Sequence, residues 1–268
     1  MIERNPITGD PILVAPDRAE RPDIFGEGAD RCPFCPGHEG DTPPEIWRDG
    51  DPWRVRIFPN KYPATEHHEV IVESPDHRVM FDQLPADHAV TVVNSYINRY
   101  YILSRISQYA CVFKNHGPLA GASIPHLHSQ IIGTRFLPPR IAREGSQPEC
   151  ALCALRDESI DETANYRWIA PHGSMMAYEQ WIIPKRHASE MSEGLELATI
   201  LQRASRAMLT LSDSFNWMFM NFPRMPSAHW YVQLFPRLSA HAGFEFGTGS
   251  AINTVEAKEA AARRLTVL

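Results

Sequence analysis

Apolar and polar residues alternate through Trp53-Arg54-Val55-Arg56-Ile57-Phe58, the two-residue period of a strand. Pro59-Asn60-Lys61-Tyr62-Pro63 breaks the pattern. His68-Glu69-Val70-Ile71-Val72-Glu73 predicts a second strand, ending at Ser74-Pro75-Asp76-His77. After Leu84-Pro85-Ala86 the period changes, and Val90, Val93, Ile97 and Tyr101 recur at the spacing of one helix face. Ala110 to Phe113 predicts a further strand, which leads into the small-residue loop Asn115 to Ser123 and then into a strand through Ile132. Tyr166 to Ala170 and Ala177 to His187 again predict strand segments. Leu197, Leu201, Ala204, Met208 and Leu211 mark a second long helix, and strands follow at Phe215 to Met220 and Ala228 to Phe235.

The order of elements repeats. Each half reads as a Cys-x-x-Cys knuckle, a strand, a strand ending in His, a long helix, a strand, and a strand opening with His. Cys32 and Cys35 pair with Cys150 and Cys153, His77 with His187, Asn115 with Asn221, His126 with His229, His128 with Tyr231, and Gln130 with Gln233. The expected fold is α+β, with two pseudo-equivalent halves, each an antiparallel sheet with a long helix on one face. Pro138-Pro139 and the polar run to Pro148 read as a linker, which sets the halves at 1–135 and 136–268.

The chain has 268 residues and a net charge of −6, with Lys and Arg scattered rather than clustered. No basic run points to nucleic acid or to an anionic membrane surface. Met1-Ile2-Glu3-Arg4-Asn5-Pro6 is no apolar leader, and no apolar run is long enough to span a bilayer, so a cytoplasmic protein is expected. In such a compartment the two Cys-x-x-Cys pairs read as metal clips or redox dithiols rather than disulfides. The fifth thiol, Cys111, sits in the apolar run Tyr109 to Phe113 and reads as inert.

A structural zinc site takes four Cys and His ligands in a tetrahedron. Cys32, Cys35, His77 and His126 would form one site, and Cys150, Cys153, His187 and His229 the other. With all four ligands from protein, neither leaves a position for a metal-activated water, so both metals are expected to be structural. On one strand His126, His128 and Gln130 would project together, roughly 6–7 Å apart. His126 has a counterpart in the second half and His128 has none. His128 is therefore the candidate for chemistry.

Gly121-Ala122-Ser123-Ile124-Pro125-His126-Leu127-His128-Ser129-Gln130 resembles the motif of the galactose-1-phosphate uridylyltransferases and the related ADP-glucose phosphorylases, of the histidine-triad superfamily. The likeness extends over Asp10 to Pro22, the Cys32 knuckle, Pro59 to Pro63, Glu73 to His77, His229 to Gln233, Pro236 to Leu238 and Gly243 to Gly249. It implies a histidine-triad-like fold for each half and a ping-pong mechanism. His128 would attack the α-phosphorus of a nucleotide sugar, releasing sugar 1-phosphate and leaving a nucleotidyl-histidine for a second phosphate acceptor. The resemblance further implies that Gln130 bonds the transferring phosphoryl group and that Arg18, Arg21, Asn60, Asn115 and Ser123 line the nucleotide and phosphate site. Glu245 would hold sugar hydroxyls, supplied in relatives by the neighbouring subunit of a dimer.

The hydrolytic branch of the superfamily has a third His where Gln130 stands. An amide cannot act as a general acid, and a sugar phosphate hardly needs one to leave, so Gln130 favours transfer between phosphates. Leu127 stands where many uridylyltransferases have Pro, and Ser129 where one branch has Gly, which leaves base and sugar open. The leading expectation is a UDP-glucose–hexose-1-phosphate uridylyltransferase of galactose metabolism, acting as a homodimer. The alternatives are an ADP-glucose phosphorylase using inorganic phosphate, a dinucleoside-polyphosphate phosphorylase, and a nucleotide-binding module without turnover.

Overall fold

The structure is a computed structural model that describes residues 1–25, 32–192 and 194–263. Strands β1 (Ile2–Arg4) and β2 (Pro11–Leu13) pair as a small hairpin. Ten further strands form one antiparallel sheet: β3 (Trp47–Asp49), β4 (Val55–Pro59), β5 (His67–Val72), β6 (Tyr109–His116), β7 (His128–Thr134), β8 (Glu158–Glu162), β9 (Tyr166–Ala170), β10 (Gln180–Pro184), β11 (Phe215–Met220) and β12 (Tyr231–Pro236). The order across it is β3-β4-β5-β7-β6-β11-β12-β10-β9-β8. Counted inward from the two edges, β3 matches β8, β4 matches β9, β5 matches β10, β7 matches β12, and β6 matches β11. The fold is α+β, and the strands after His126 and His229 hold the same place in their halves.

One feature differs from the reading of the sequence. The halves were expected to carry a sheet each, but they share one. Strands β6 and β11 pair in register from Phe215 opposite His116 to Met218 opposite Phe113. Each half ends in a strand with a row of unpaired backbone groups, and the matching edge of the other half satisfies them.

Helices α1 (Ala86–Ile106), α4 (Leu195–Leu209) and α6 (Ala257–Ala262) pack on one sheet face, while the short helices α2 (Pro139–Gly145), α3 (Ala151–Ala154) and α5 (Gly243–Thr248) lie in connections. Strand alternation sorts the side chains. Val55, Ile57, Ile71, Trp217, Phe219, Val232 and Leu234 face the long helices. Phe58, Val70 and Val72 face the first knuckle, and Met220 and Tyr231 lie on the same side of the second half. Both faces are covered, which is why several strands read as nearly continuous apolar runs.

On α4 the expected face is the buried one: Leu197, Leu201, Ala204 and Met208. On α1 it is rotated. Val93 is buried as expected, but Val90 and Ile97 are half-buried and Tyr101 is exposed. Ala89, Val92, Tyr96, Tyr100 and Leu103 complete the buried face. Tyr96 and Tyr100 belong inside because their hydroxyls reach the carboxylates of Glu73 and Glu190, at 2.5 and 2.7 Å.

Gly117, just after β6, fastens the seam. Its φ is +82°, and a Cβ there would stand 2.3 Å from Ser214 Oγ and 2.5 Å from Asp213 O. Both the backbone conformation and the clash oppose any side chain. Gly117→Ala should cost about 2–4 kcal/mol, read as a lower urea midpoint at unchanged slope. A midpoint equal to that of the parent protein would show that this contact is not rigid.

Candidate active site and metal clusters

The knuckle of Cys32 and Cys35 meets His77, beyond β5, and His126, just before β7. Cys35 Sγ lies 3.3 Å from His77 Nδ1 and 3.5 Å from His126 Nδ1, and Cys32 Sγ lies 3.6 Å from His126 Nδ1. In the second half Cys153 Sγ is 3.3 Å from His187 Nδ1 and 3.5 Å from His229 Nδ1, and Cys150 Sγ is 3.8 Å from His229 Nδ1. In each set the donor atoms lie within 4.8 Å of one another. A tetrahedral ion with bonds of about 2.3 Å to sulfur and about 2.0–2.1 Å to nitrogen has edges of about 3.3–3.8 Å. The measured spacings match those edges, so each set fits a metal ion.

The far ring nitrogens are also placed. His126 Nε2 donates to Ser74 O at 2.6 Å and His187 Nε2 to Pro226 O at 2.7 Å. His229 Nε2 faces the carbonyl of Pro184 without a hydrogen bond of normal geometry. Burial holds His126 and His229 at a pKa of about 4, in the neutral form that binds metal through Nδ1. His126 was expected on the strand beside His128 and Gln130. It lies in the bend before β7, and His229 likewise precedes β12. That bend turns the His126 ring to the knuckle and leaves His128 at the strand's first position.

His128, Gln130, Asn60, Arg21 and Ser123 line one cavity of about 320 Å³, walled by Phe34, Phe58, Val70, Ile24 and Ile124. His128 Nδ1 donates to His126 O at 2.7 Å, since a carbonyl can only accept. That fixes the tautomer and leaves the lone pair on Nε2. Burial lowers the pKa of His128 to about 4, against the opposing effect of the bond to His126 and helped by the charges of Lys114 and Arg21. The ring is therefore neutral near pH 7, with Phe34 edge-on at 5.3 Å between centroids. Gln130 is oriented as closely. Its Oε1 accepts from His68 Nε2 at 2.9 Å and from Asn60 Nδ2 at 3.4 Å, which leaves the amide NH₂ as a donor.

Residues 18–137 match the family model described as the N-terminal domain of a domain of unknown function (DUF4931). An ADP-glucose phosphorylase of Arabidopsis thaliana is 30% identical, over 95% of this chain and 89% of that one. A galactose-1-phosphate uridylyltransferase of Thermotoga maritima is 26% identical, over 96% of this chain and 95% of that one. The crystal structure of the Arabidopsis ADP-glucose phosphorylase with bound ADP-glucose superposes with a TM-score of 0.80 at 28% identity, covering 100% of this chain and 99% of that one. The chain belongs to the galactose-1-phosphate uridylyltransferase and ADP-glucose phosphorylase family. It is an enzyme, a nucleotidyltransferase.

This uridylyltransferase-family enzyme does not gather every expected site residue at one cavity. Arg18 stands behind the wall, donating to Tyr62 O at 2.6 Å and lying 3.5 Å from His68 Nδ1. Asn115 sits at the β6–β11 seam, where its Oδ1 accepts from Asn216 Nδ2 at 2.9 Å. Glu245 is on α5, its Oε2 accepting from Ala242 N at 3.0 Å, and is not among the residues lining the His128 cavity. Three of the loop's N–H groups are used within the loop. Ala120 and Ala122 donate to Gly117 O, and Gly121 donates to Pro118 O.

Two groups went unread in the sequence. Lys114 and Glu73 are 1% and 0% exposed and paired at 2.7 Å. Lys114 Nζ also donates to His128 O at 2.8 Å, and Tyr96 OH bonds Glu73. Burial lowers the Lys114 pKa more than Glu73 raises it. The one signal in the sequence is a charge closing each of two apolar runs, Val70-Ile71-Val72-Glu73 and Tyr109-Ala110-Cys111-Val112-Phe113-Lys114. The other group is His68, buried on β5. Its Nδ1 accepts from Ala64 N at 3.0 Å, which puts its proton on the Nε2 that faces Gln130.

Burial pulls His68 down to a pKa of about 4, below its ordinary 6.5. Between those values the unfolded chain binds a proton that the folded one does not, so stability falls as pH falls through this window and is flat above it. Replacing His68 with Asn removes that share. The stability lost between pH 7 and 4.5 should shrink by about 2 kcal/mol relative to the parent protein, measured by urea unfolding at both pH values. An unchanged loss would mean that His68 is protonated in the fold.

Proposed function

We propose that the enzyme is a nucleotide-sugar phosphorylase acting on ADP-glucose through a nucleotidyl-histidine at His128. His128 Nε2 attacks the α-phosphorus. The bond to the β-phosphate oxygen breaks, and glucose 1-phosphate leaves as an anion. Inorganic phosphate then attacks the same phosphorus, the P–N bond breaks, and ADP is released. The observation that carries this reading is the Nδ1–H bond from His128 to His126 O, which fixes the tautomer and leaves Nε2 as nucleophile in a ring that burial keeps neutral. Gln130 offers its NH₂ to the phosphoryl oxygens, while Arg21, Asn60 and Ser123 hold the nucleotide, in keeping with their place along the cavity. Arg18 acts at one remove, bracing the Tyr62 segment and His68, and Asn115 braces the seam.

The sequence alone put uridylyl transfer to hexose 1-phosphate first. The extent of the likeness to the plant phosphorylase favours phosphate as acceptor. Uridylyltransferase remains the second reading, supported by the likeness to the Thermotoga enzyme. Both share the first half-reaction and differ in what accepts the nucleotide. We take the enzyme as a homodimer in which Glu245 serves the partner's sugar site, in line with the exposed Phe244 and Phe246 beside it on α5. Among the described residues no helix is long and apolar enough to cross a membrane, and the five free cysteines suit the cytoplasm.

Protein mixed with ADP-glucose and quenched without acid should carry one AMP on the peptide that contains His128. His128→Asn should abolish the adduct and slow exchange of labelled glucose 1-phosphate into ADP-glucose by about 10³-fold or more. An adduct elsewhere, or turnover by His128→Asn, overturns the mechanism. With phosphate and galactose 1-phosphate as competing acceptors, phosphate should give the higher kcat/KM. The reverse preference, with UDP-glucose as donor, selects the second reading.

Zinc is the metal that suits Cys32, Cys35, His77 and His126, and Cys150, Cys153, His187 and His229, because it accepts closed tetrahedral sets of thiolate and imidazole. When bound it would crosslink each knuckle to its strands and supply no reacting ligand. Elemental analysis should find about two metal equivalents per chain. Cys32→Ser should lose one of them and lower thermal stability more than it lowers kcat. A metal-free Cys32→Ser protein with full stability contradicts the assignment.

A further inference from the structure

The second half holds a cavity that the reaction at His128 does not use. It measures about 510 Å³, against about 320 Å³ for the first, and is lined by Cys150, His229 and Tyr231 of the second half. The correspondence runs residue by residue. Tyr231 stands in the place of His128, and Leu152 occupies the position in its knuckle that Phe34 occupies in the other. Val70 lies opposite Gln130 and Trp181 opposite Gln233, so Glu179 takes the place of His68.

The arginines repeat as well. Pro16-Asp17-Arg18-Ala19-Glu20-Arg21 precedes the first knuckle, and Pro138-Pro139-Arg140-Ile141-Ala142-Arg143 precedes the second. Each holds a proline-started helical turn with two guanidinium groups three residues apart, the second of them being Arg21, just past the end of the first turn, and Arg143, within the second turn. Arg21 lines the first cavity, and Arg140 and Arg143 line the second. Trp181, Tyr231, Phe222 and Leu152 supply the second cavity with flat and apolar walls.

We propose that this cavity is a second, non-catalytic site for a nucleoside monophosphate, with Arg140 and Arg143 on the phosphate and the aromatic wall on the base. The ligand class rests on reading the first cavity as the nucleotide site. Arg140 is held by Glu144 at 2.6 Å, and Glu144 also accepts from Tyr231 OH at 3.0 Å, so phosphate would compete with this carboxylate. Glu179 is already committed. It accepts from Trp181 Nε1, Gln233 Nε2 and the N–H groups of Met175 and Met176.

The floor also explains why binding there would not lead to transfer. In the first cavity Gln130 gives its oxygen to His68 and keeps its NH₂ for a phosphoryl group. In the second half, Gln233 gives an amide N–H to Glu179 and is not among the residues that line the cavity. The counterpart of the Gln130 amide is therefore withdrawn from this cavity, and Tyr231 brings no imidazole. AMP carries the phosphate and the flat base that this lining would hold, which makes it a suitable probe.

The test is calorimetric titration of the metal-loaded, full-length protein with AMP, alongside the Arg143→Glu and Arg21→Glu variants. Arg143 is exposed, so its replacement should leave the fold intact, checked by circular dichroism. The parent protein should bind two AMP per chain. Arg143→Glu should weaken one of them at least tenfold, and Arg21→Glu should weaken the other. AMP binding that Arg143→Glu leaves unchanged, or no AMP binding at all, overturns the proposal. Binding lost in Arg143→Glu but untouched in Arg21→Glu supports the second site and removes instead the nucleotide reading of the first.

Discussion

The geometry depends on the short turn from His126 to His128, which is held from three directions. The His126 ring points into the knuckle, where Nδ1 lies 3.5–3.6 Å from two sulfurs. The His126 carbonyl accepts a hydrogen bond from His128 Nδ1, and Lys114 Nζ donates to the carbonyl of His128. A side chain so constrained has lost its freedom before any substrate arrives, which is what the nucleophile role proposed for His128 requires. The buried pair of Lys114 and Glu73 belongs to this framework. Isolated in the core it would be costly, but three hydrogen bonds donated by the ammonium and one donated by the Tyr96 hydroxyl to the carboxylate satisfy it.

Much of this could be read from the chain. The two Cys-x-x-Cys pairs with a His after a strand and another His before a later one define two clusters that fit a metal ion, because ligand chemistry restricts which residues can stand there. The duplication made His128 stand out by its lack of a partner. What was hidden was hidden for physical reasons. His68 sits in a strand whose alternation already accounted for it, and only its side-chain hydrogen bond to Gln130 on the neighbouring strand gives it a task. Lys114 and Glu73 are 41 residues apart, and their contact exists only once the sheet is assembled. The buried face of α1 was misjudged because Tyr96 and Tyr100 have polar ends that need partners, and periodicity alone cannot show those partners. Asn115 looked like a phosphate ligand by resemblance and is placed at a seam that no local pattern announces.

The halves have diverged where chemistry demands difference and stayed alike where assembly demands sameness. The knuckles, the strand order and the paired arginines recur. The exchange of imidazole for phenol at 128 and 231, and of imidazole for carboxylate at 68 and 179, reverses the direction in which the conserved glutamine amide points. One face of the sheet therefore carries two cavities, with the glutamine amide lining the first and turned into the sheet beside the second.

The shared sheet has a consequence for synthesis on the ribosome. Every strand of the first half is complete by Thr134, yet the partner of β6 begins only at Phe215. Until then β6, from Tyr109 to His116, presents an unpaired edge, the kind of surface that recruits strands from other nascent chains. The waiting interval is the translation time of about eighty residues, some 4–16 s at ordinary elongation rates. Chaperone cover during that interval, or slow codons placed before it rather than within it, would bear directly on how much of the enzyme reaches its folded form.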